Sequence, residues 1–215
     1  MLASPHPHDV SLPRFSNPVT DSKQPQSPKS IAQAWLDRFA AVMASQNASK
    51  LSSIFHEDSW WRDHLALDWE FHTLHGLQKI ISFLSPRISS VQMQELELAT
   101  SGQFAPSTVS PIEGLEWVQS MFSFQTSIGR GRGMLRLAQG PDGNYKAHML
   151  YTALQDIKGF EENTGARRAH GGKNSLEGGA IKGNWFERRQ RAVEFLDEQP
   201  QALIIGAGTL APIDA

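Results

Sequence analysis

Cysteine is absent from all 215 residues. That excludes disulfide staples, a thiolate nucleophile and thiolate metal sites, and it fits a reducing compartment. Long apolar runs are missing too: no window approaches the roughly 18 to 20 apolar residues of a membrane-spanning helix. Pro5, Pro7 and Pro13 fall where a secretory signal would need an unbroken apolar stretch, so no signal peptide is expected and the cytoplasm is the expected compartment. Charge of one sign is the third thing lacking. Twenty basic against twenty-two acidic residues give a formal net charge of -2, which makes no global case for nucleic acid or an acidic membrane as a partner.

What is present begins with residues 1–29, rich in Pro, Ser, His and Asn, a composition expected to stay disordered. His6 and His8 alternate there without further ligands nearby, so no metal site is expected. Ser30 and Gln33 form a capping-box pattern, and Ile31, Trp35, Phe39 and Val42 or Met43 recur at helical spacing. Asn47 can cap a second, short helix with Leu51, Ile54 and Phe55 on its apolar face. His56-Glu57-Asp58-Ser59 is read as a polar turn and Trp60 to Phe71 as an aromatic-rich extended segment. Gly76 then precedes Leu77, Ile80, Ile81 and Leu84, one face of a helix that Pro86 ends.

After Pro86 the period changes from helical to alternating. Val91 and Met93, then Leu96 and Leu98 in shifted phase, predict two strand segments joined by a bulge. Pro106, Pro111 and Gly114 mark a loop. A half-buried strand follows, with Val118, Phe122, Phe124 and Ile128 on its core side. Gly129-Arg130-Gly131-Arg132-Gly133 reads as a turn or bulge, and Pro141-Asp142-Gly143-Asn144 as the turn of a long hairpin. Its strands carry Leu135 and Leu137, then Tyr145, Ala147, Met149, Tyr151 and Ala153 on one face. Helices followed by a run of antiparallel strands predict an α+β fold, with helices packed on one face of a curved sheet.

The order of Trp35-Leu36-Asp37-Arg38-Phe39, Phe55-His56-Glu57-Asp58, the Trp-rich segment, Gly76 with its helix, and the hairpin resembles the cone-shaped NTF2-like or SnoaL-like fold. Trp60-Trp61-Arg62-Asp63, Gly129 to Gly133 and Thr152-Ala153-Leu154, with Leu203-Ile204-Ile205-Gly206-Ala207-Gly208 after a linker, look like the N-terminal part of fungal flavin-containing monooxygenase-like proteins. That resemblance implies an NTF2-like module over 30–158 ahead of an FAD- and NADPH-binding body that transfers oxygen to a substrate. It also implies a homodimer paired through the outer face of the cone's sheet.

The Gly-rich stretch 159–183 reads as a flexible linker, and 184–199 as a connecting helix capped by Asn184 with Glu187, with Trp185, Ala192, Val193 and Leu196 as a narrow apolar stripe. Residues 200–215 read as the truncated start of a Rossmann-type FAD domain. Gly206, Gly208 and Ala211 satisfy the G-x-G-x-x-A pattern, in which the glycines make the turn and admit pyrophosphate and the small third residue lets helix meet strand. Pro212 and the end of the chain at Ala215 leave no helix, second strand or ribose-binding acid. The chain alone is therefore expected to hold neither FAD nor NADPH and not to turn over.

Two other function classes follow from the cone itself. One is a stand-alone binding or dimerisation module, with a small apolar ligand in the cone. The other is a cofactor-independent lyase or isomerase, for which Asp63, His148 and Tyr151 are the candidate catalytic groups, beside His64, Asp68 and His72. An Asp63 desolvated among Trp60, Trp61 and Trp69 would have a raised pKa; it could equally pair with Arg62 or cap a turn. Tyr151 could equally be a core residue with a bonded hydroxyl. A cavity with Asp63 and His148 converging favours the lyase, and a cavity filled by tryptophan favours the module. Arg130, Arg132 and Arg136 read as a solvated basic strip.

Overall fold

The structure is a computed structural model and describes residues 26–112, 115–162, 164–165 and 184–196. The expectations for residues 1–25, most of the linker and residues 197–215, including Gly206, Gly208 and Ala211, concern segments outside the described residues. The chain divides into two units, one ending at Glu162 and the other starting at Asn163.

The first unit opens with α1 (Pro28–Ala44), which starts earlier than the capping box predicts. Ser27, not Ser30, is the N-cap, its hydroxyl accepting from the Ser30 amide, and Pro28 supplies a helix-ready φ in the first turn. Gln33 bonds Asp37 instead of the cap. Ile31, Trp35, Leu36, Phe39, Val42 and Met43 make the buried stripe. Asn47 caps a single 3₁₀ segment, Ala48–Ser53, as expected, but Phe55 belongs to the strand that follows.

That strand, β1 (Phe55–His64), absorbs the predicted polar turn. A register shift between Phe55 and Trp60 accommodates His56 to Ser59, and the buried Ser59 hydroxyl bonds the carbonyls of His56 and Ala147. β2 (Phe71–His75) pairs back antiparallel. Gly76, at φ +91°, turns the chain into α2 (Leu77–Leu84). Val91, predicted in a strand, instead ends the short α3 (Ile88–Val91), because a left-handed Gln92 stops the helix before Met93. The predicted bulge exists, displaced into β3 (Gln94–Leu98), where the register slips between Gln94 and Glu97 around Glu95 at φ +51°.

The Pro106–Pro111 loop is in part β4 (Ser107–Ile112), which pairs only with β5 (Leu115–Gln125); an edge position tolerates Pro111 because no ladder donor is needed on the free side. Ile128 lies beyond β5, 40% exposed, and does not share the core face with Val118, Phe122 and Phe124.

Gly129 to Gly133 is not a turn but the first half of β6 (Gly129–Gln139). Gly131 faces Phe124 and Gly133 faces Phe122 across the ladder, and a Cβ on either would sit 2.3 Å or 2.2 Å from the ring. The glycines make room for two aromatic rings, and the alternating arginines go to the other side. The hairpin closes on β7 (Tyr145–Ile157).

Strand order is β2-β1-β7-β6-β5-β3, with β4 also on β5; β1 runs parallel to β7 and every other pair is antiparallel. Helices cover one face of this curved sheet. The α+β cone that the NTF2-like resemblance implied is therefore the fold of this unit. In its core Trp35 stacks on Phe39, Phe55 stacks on Trp61, and both pairs meet edge-on.

In the second unit, α4 (Trp185–Val193) has the reciprocal cap predicted: the Asn184 amide donates to Glu187 Oε2 and the Glu187 amide to Asn184 Oδ1. Trp185, Phe186, Val193, Phe195 and Leu196 are exposed. Among the described residues no helix is long and apolar enough to cross a membrane.

Candidate functional site

The predicted catalytic groups are not brought together. Asp63 and Thr152 are opposite each other on β1 and β7 and face the core, both fully buried. Trp61 Nε1 donates to Thr152 Oγ1 at 3.0 Å, the Thr152 hydroxyl in turn donates to Asp63 Oδ1, and Asp63 Oδ2 accepts from the Leu67 amide at 2.9 Å. Burial pushes the Asp63 carboxyl above its usual range, opposed by the hydrogen bonds from Thr152, Leu67 and Ala66 and by the nearby His72. Of the three tryptophans expected around Asp63, Trp60 lies on the other face of the sheet and Trp69 is 62% exposed. No bond from Arg62 reaches this carboxylate; its Nε donates to His64 Nε2.

His148 is the extra residue of a bulge in β7, since Arg136 pairs with Met149 and Leu137 with Ala147. It is buried, and burial lowers its pKa to about 4, helped by His56 and opposed by Asp58. Asp63 is not among the charges it senses. Tyr151 pairs with Arg62, one residue out of phase with Thr152, so it stands on the open face, half-buried, its hydroxyl 3.1 Å from His64 Nδ1. The Tyr151–His64–Arg62 chain and the Asp63–Thr152–Trp61 chain thus occupy opposite faces of one sheet. Asp63 itself is fully buried, with its two carboxylate oxygens bonded to Thr152 and Leu67.

A cavity of about 300 Å³ opens elsewhere, among the β1–β2 loop, α3 and the β5–β6 turn. Leu65, Ala66, Leu67, Val91 and Ile128 give it apolar walls. Each rim segment is tied down. Asp63 holds Leu67; Arg87 donates through Nε at 2.9 Å and Nη2 at 2.6 Å to Asp68 Oδ2; the Ser127 amide and hydroxyl reach the carbonyls of Val91 and Ser90, each at 2.8 Å. Arg87 also lies 4.0 Å over the Phe83 ring. Bonds from Arg87 and the Trp69 amide hold the Asp68 carboxyl below its usual range. His72 packs against Phe83 with the rings tilted by 52°, and its Nε2, 3.7 Å from Asp68, is buried with no hydrogen bond among the described residues.

Of these residues the sequence singled out Asp68 and His72 but missed Arg87, Ser90, Thr126 and Ser127. Arg87 directly after the helix-ending Pro86 was the available signal, since a guanidinium at a helix end is well placed to reach a loop carboxylate. Among the described residues no group of His, Asp and Glu is arranged to hold a metal.

No family model and no curated protein matches the chain. Solved structures do align with it. A protein with a cystatin-like fold from Caulobacter vibrioides shares 11% identity over 58% of this chain and 87% of its own, at a TM-score of 0.43. A ketosteroid isomerase-like protein from Erwinia carotovora atroseptica shares 8% over 60% and 96%, at 0.43. An NTF-2 like protein from Silicibacter pomeroyi shares 12% over 58% and 93%, at 0.39. At these values nothing of their activities carries over, and the fold assignment stands on the strand order itself.

Proposed function

We propose that the cone works as a stand-alone binding module that takes a small, largely apolar and uncharged molecule into the cavity between the β1–β2 loop, α3 and the β5–β6 turn. The observation that carries this reading is the stitched rim around an apolar pocket of about 300 Å³, beside a core whose centre is filled by aromatic rings. That volume is at the lower end of small-molecule sites, suited to a two-ring compound. Arg87 and Asp68 neutralise each other, so the polar side of the pocket offers hydrogen bonds without net charge. The test is calorimetric titration with 2-naphthol. Ser90 is an exposed position on the rim, and Ser90→Trp fills the cavity without entering the core. Binding by the native chain and at least tenfold weaker binding by Ser90→Trp, at unchanged melting temperature, are expected; equal binding by both sinks the reading.

The flavin-dependent reading rests on the resemblance carried by Trp60-Trp61-Arg62-Asp63, Gly129 to Gly133 and Thr152-Ala153-Leu154, and on the Gly206-Ala207-Gly208 sequence pattern with Ala211. Under it FAD and NADPH would serve oxygen transfer by a longer protein. We expect this chain, purified, to be colourless. Retained yellow flavin together with NADPH oxidation would overturn that expectation.

A further inference from the structure

The open face of the sheet carries a pattern that neither the pocket nor the core requires. Along β6, Arg132, Met134 and Arg136 alternate with the inward-facing Gly133 and Leu135. Beside them in register stand Tyr151 and Met149 on β7 and Met121 on β5, and Arg62 follows one strand beyond Tyr151. Among the described residues no carboxylate bonds Arg62, Arg132 or Arg136, whereas Arg130, one step along, is engaged by Glu161 and Asp156. Arg136 is held by other means: its guanidinium lies 5.0 Å over Trp117, Nη1 reaches the Met149 sulfur at 3.7 Å, and its buried Nε has no partner.

Three guanidiniums without counter-charge, set among methionines and aromatic rings and without lysine, have the composition of a protein-binding face rather than of a solvated one. The spacing then selects the occupant. Residues 132 and 136 are four apart on a strand, about 13 Å, with Met134 midway. An extended segment laid along β6 presents side chains on one face at the same two-residue period. Acidic groups at its first and fifth positions would meet Arg132 and Arg136, and an apolar group at its third would meet Met134. We propose that this face docks an extended segment of another protein in which two acidic side chains flank an apolar one at alternate positions.

Charge argues against the other occupants. Self-pairing about a two-fold axis near Met134 would press the arginines of both copies together, and the one carboxylate in register with these rows, Glu97, stands on β3, beyond Ser123 and away from β6. For a single-stranded nucleic acid the arginine rows of β6 offer no adjacent free ring among the described residues, since the exposed Phe71 stands on β2, three strands away. Trp60 is already stacked on His75 at 4.0 Å, and Tyr151 meets the His64 ring edge-on.

The experiment uses the full chain and a fluorescein-labelled peptide, Ser-Glu-Ser-Leu-Ser-Glu-Ser, followed by anisotropy, with sedimentation at the same concentrations. Expected are saturable binding that weakens with added salt, and no binding of the Lys-for-Glu peptide. Arg132→Glu, at an exposed position that meets an acidic group, should weaken binding about three- to tenfold, and Arg62→Glu, exposed two strands from β6, should weaken it less, through charge alone. Lys79→Glu, a charge reversal at an exposed site on α2, should not. Unchanged binding by the Arg62→Glu/Arg132→Glu double variant overturns the proposal, as does absence of binding. So does a dimer that the double variant dissociates, or binding of an oligothymidylate in preference to the peptide.

Discussion

Thr152→Val tests whether the buried chain from Trp61 to Asp63 holds the cone together as its geometry requires. The Thr152 hydroxyl accepts from Trp61 Nε1 and donates to Asp63, and all three side chains are fully buried. Valine keeps the shape and removes both bonds, leaving a buried donor and a buried acceptor unmatched at about 1–3 kcal/mol each. The extra methyl returns roughly 1 kcal/mol. The expected net loss is about 1–5 kcal/mol, which in urea moves the unfolding midpoint down by roughly 0.5–2.5 M. The loss should also grow with pH. Because the folded-state pKa of Asp63 is raised, its contribution is fully favourable below the unfolded value near 3.8 and is lost as pH rises through the folded value. The Thr152 bond lowers that folded value, so removing it pushes the value higher and extends the loss to higher pH. Urea curves at about pH 4 and pH 7 should therefore differ in their Thr152→Val penalty, with the larger one at pH 7. A penalty below about 1 kcal/mol at pH 7, or one that does not change with pH, refutes the reasoning.

Gly131→Ala and Gly133→Ala should each cost about 2 kcal/mol or more, read as a fall in melting temperature, because the added Cβ meets both a phenylalanine ring and a carbonyl oxygen 2.8 Å away. His148 should titrate near pH 4 by NMR. The stability carried by its neutral form is complete above about pH 6.5 and is lost as pH falls toward 4, on the order of 3 kcal/mol in full. The difference between the pH–stability curves of the native chain and His148→Gln isolates that slope. Arg87→Met should raise the Asp68 carboxyl pKa toward its ordinary 3.8, which a carbon-detected NMR titration reads directly.

The sequence made the helices and the α+β class legible because their signals are local. Ile31, Trp35 and Phe39 need only a helical period, and Leu77, Ile80 and Leu84 likewise. What it did not make legible depends on partners distant in the chain. Gly129 to Gly133 carries every local mark of a turn, and only Phe122 and Phe124 on the neighbouring strand make it a strand that needs glycine. Ser127, chemically unremarkable, lines the pocket because its hydroxyl reaches the Ser90 carbonyl 37 residues away.

One residue explains why the predicted catalytic set dissolved. Before the bulge, odd-numbered positions of β7 face the core: Ala147 pairs with Leu137, and both are fully buried. A strict alternation carried forward would bury Met149 and Tyr151, which the sequence pattern places on one face with Ala147. His148 adds one residue, the phase inverts, and from there Leu150 and Thr152 are inside while Met149 and Tyr151 are outside. The inversion sets Thr152 opposite Asp63, where its hydroxyl can satisfy a carboxylate that burial would otherwise leave exposed to its full desolvation cost. It also puts Met149 beside Arg136 and Tyr151 beside Met134 on the open face. The same extra residue therefore completes the packed interior and assembles the recognition surface, and its removal should disturb both together. Deleting His148 is expected to abolish cooperative unfolding along with peptide binding, whereas His148→Gln, which keeps the residue count, should retain the peptide affinity; loss of that affinity in His148→Gln would show that the imidazole, not the bulge, shapes the face.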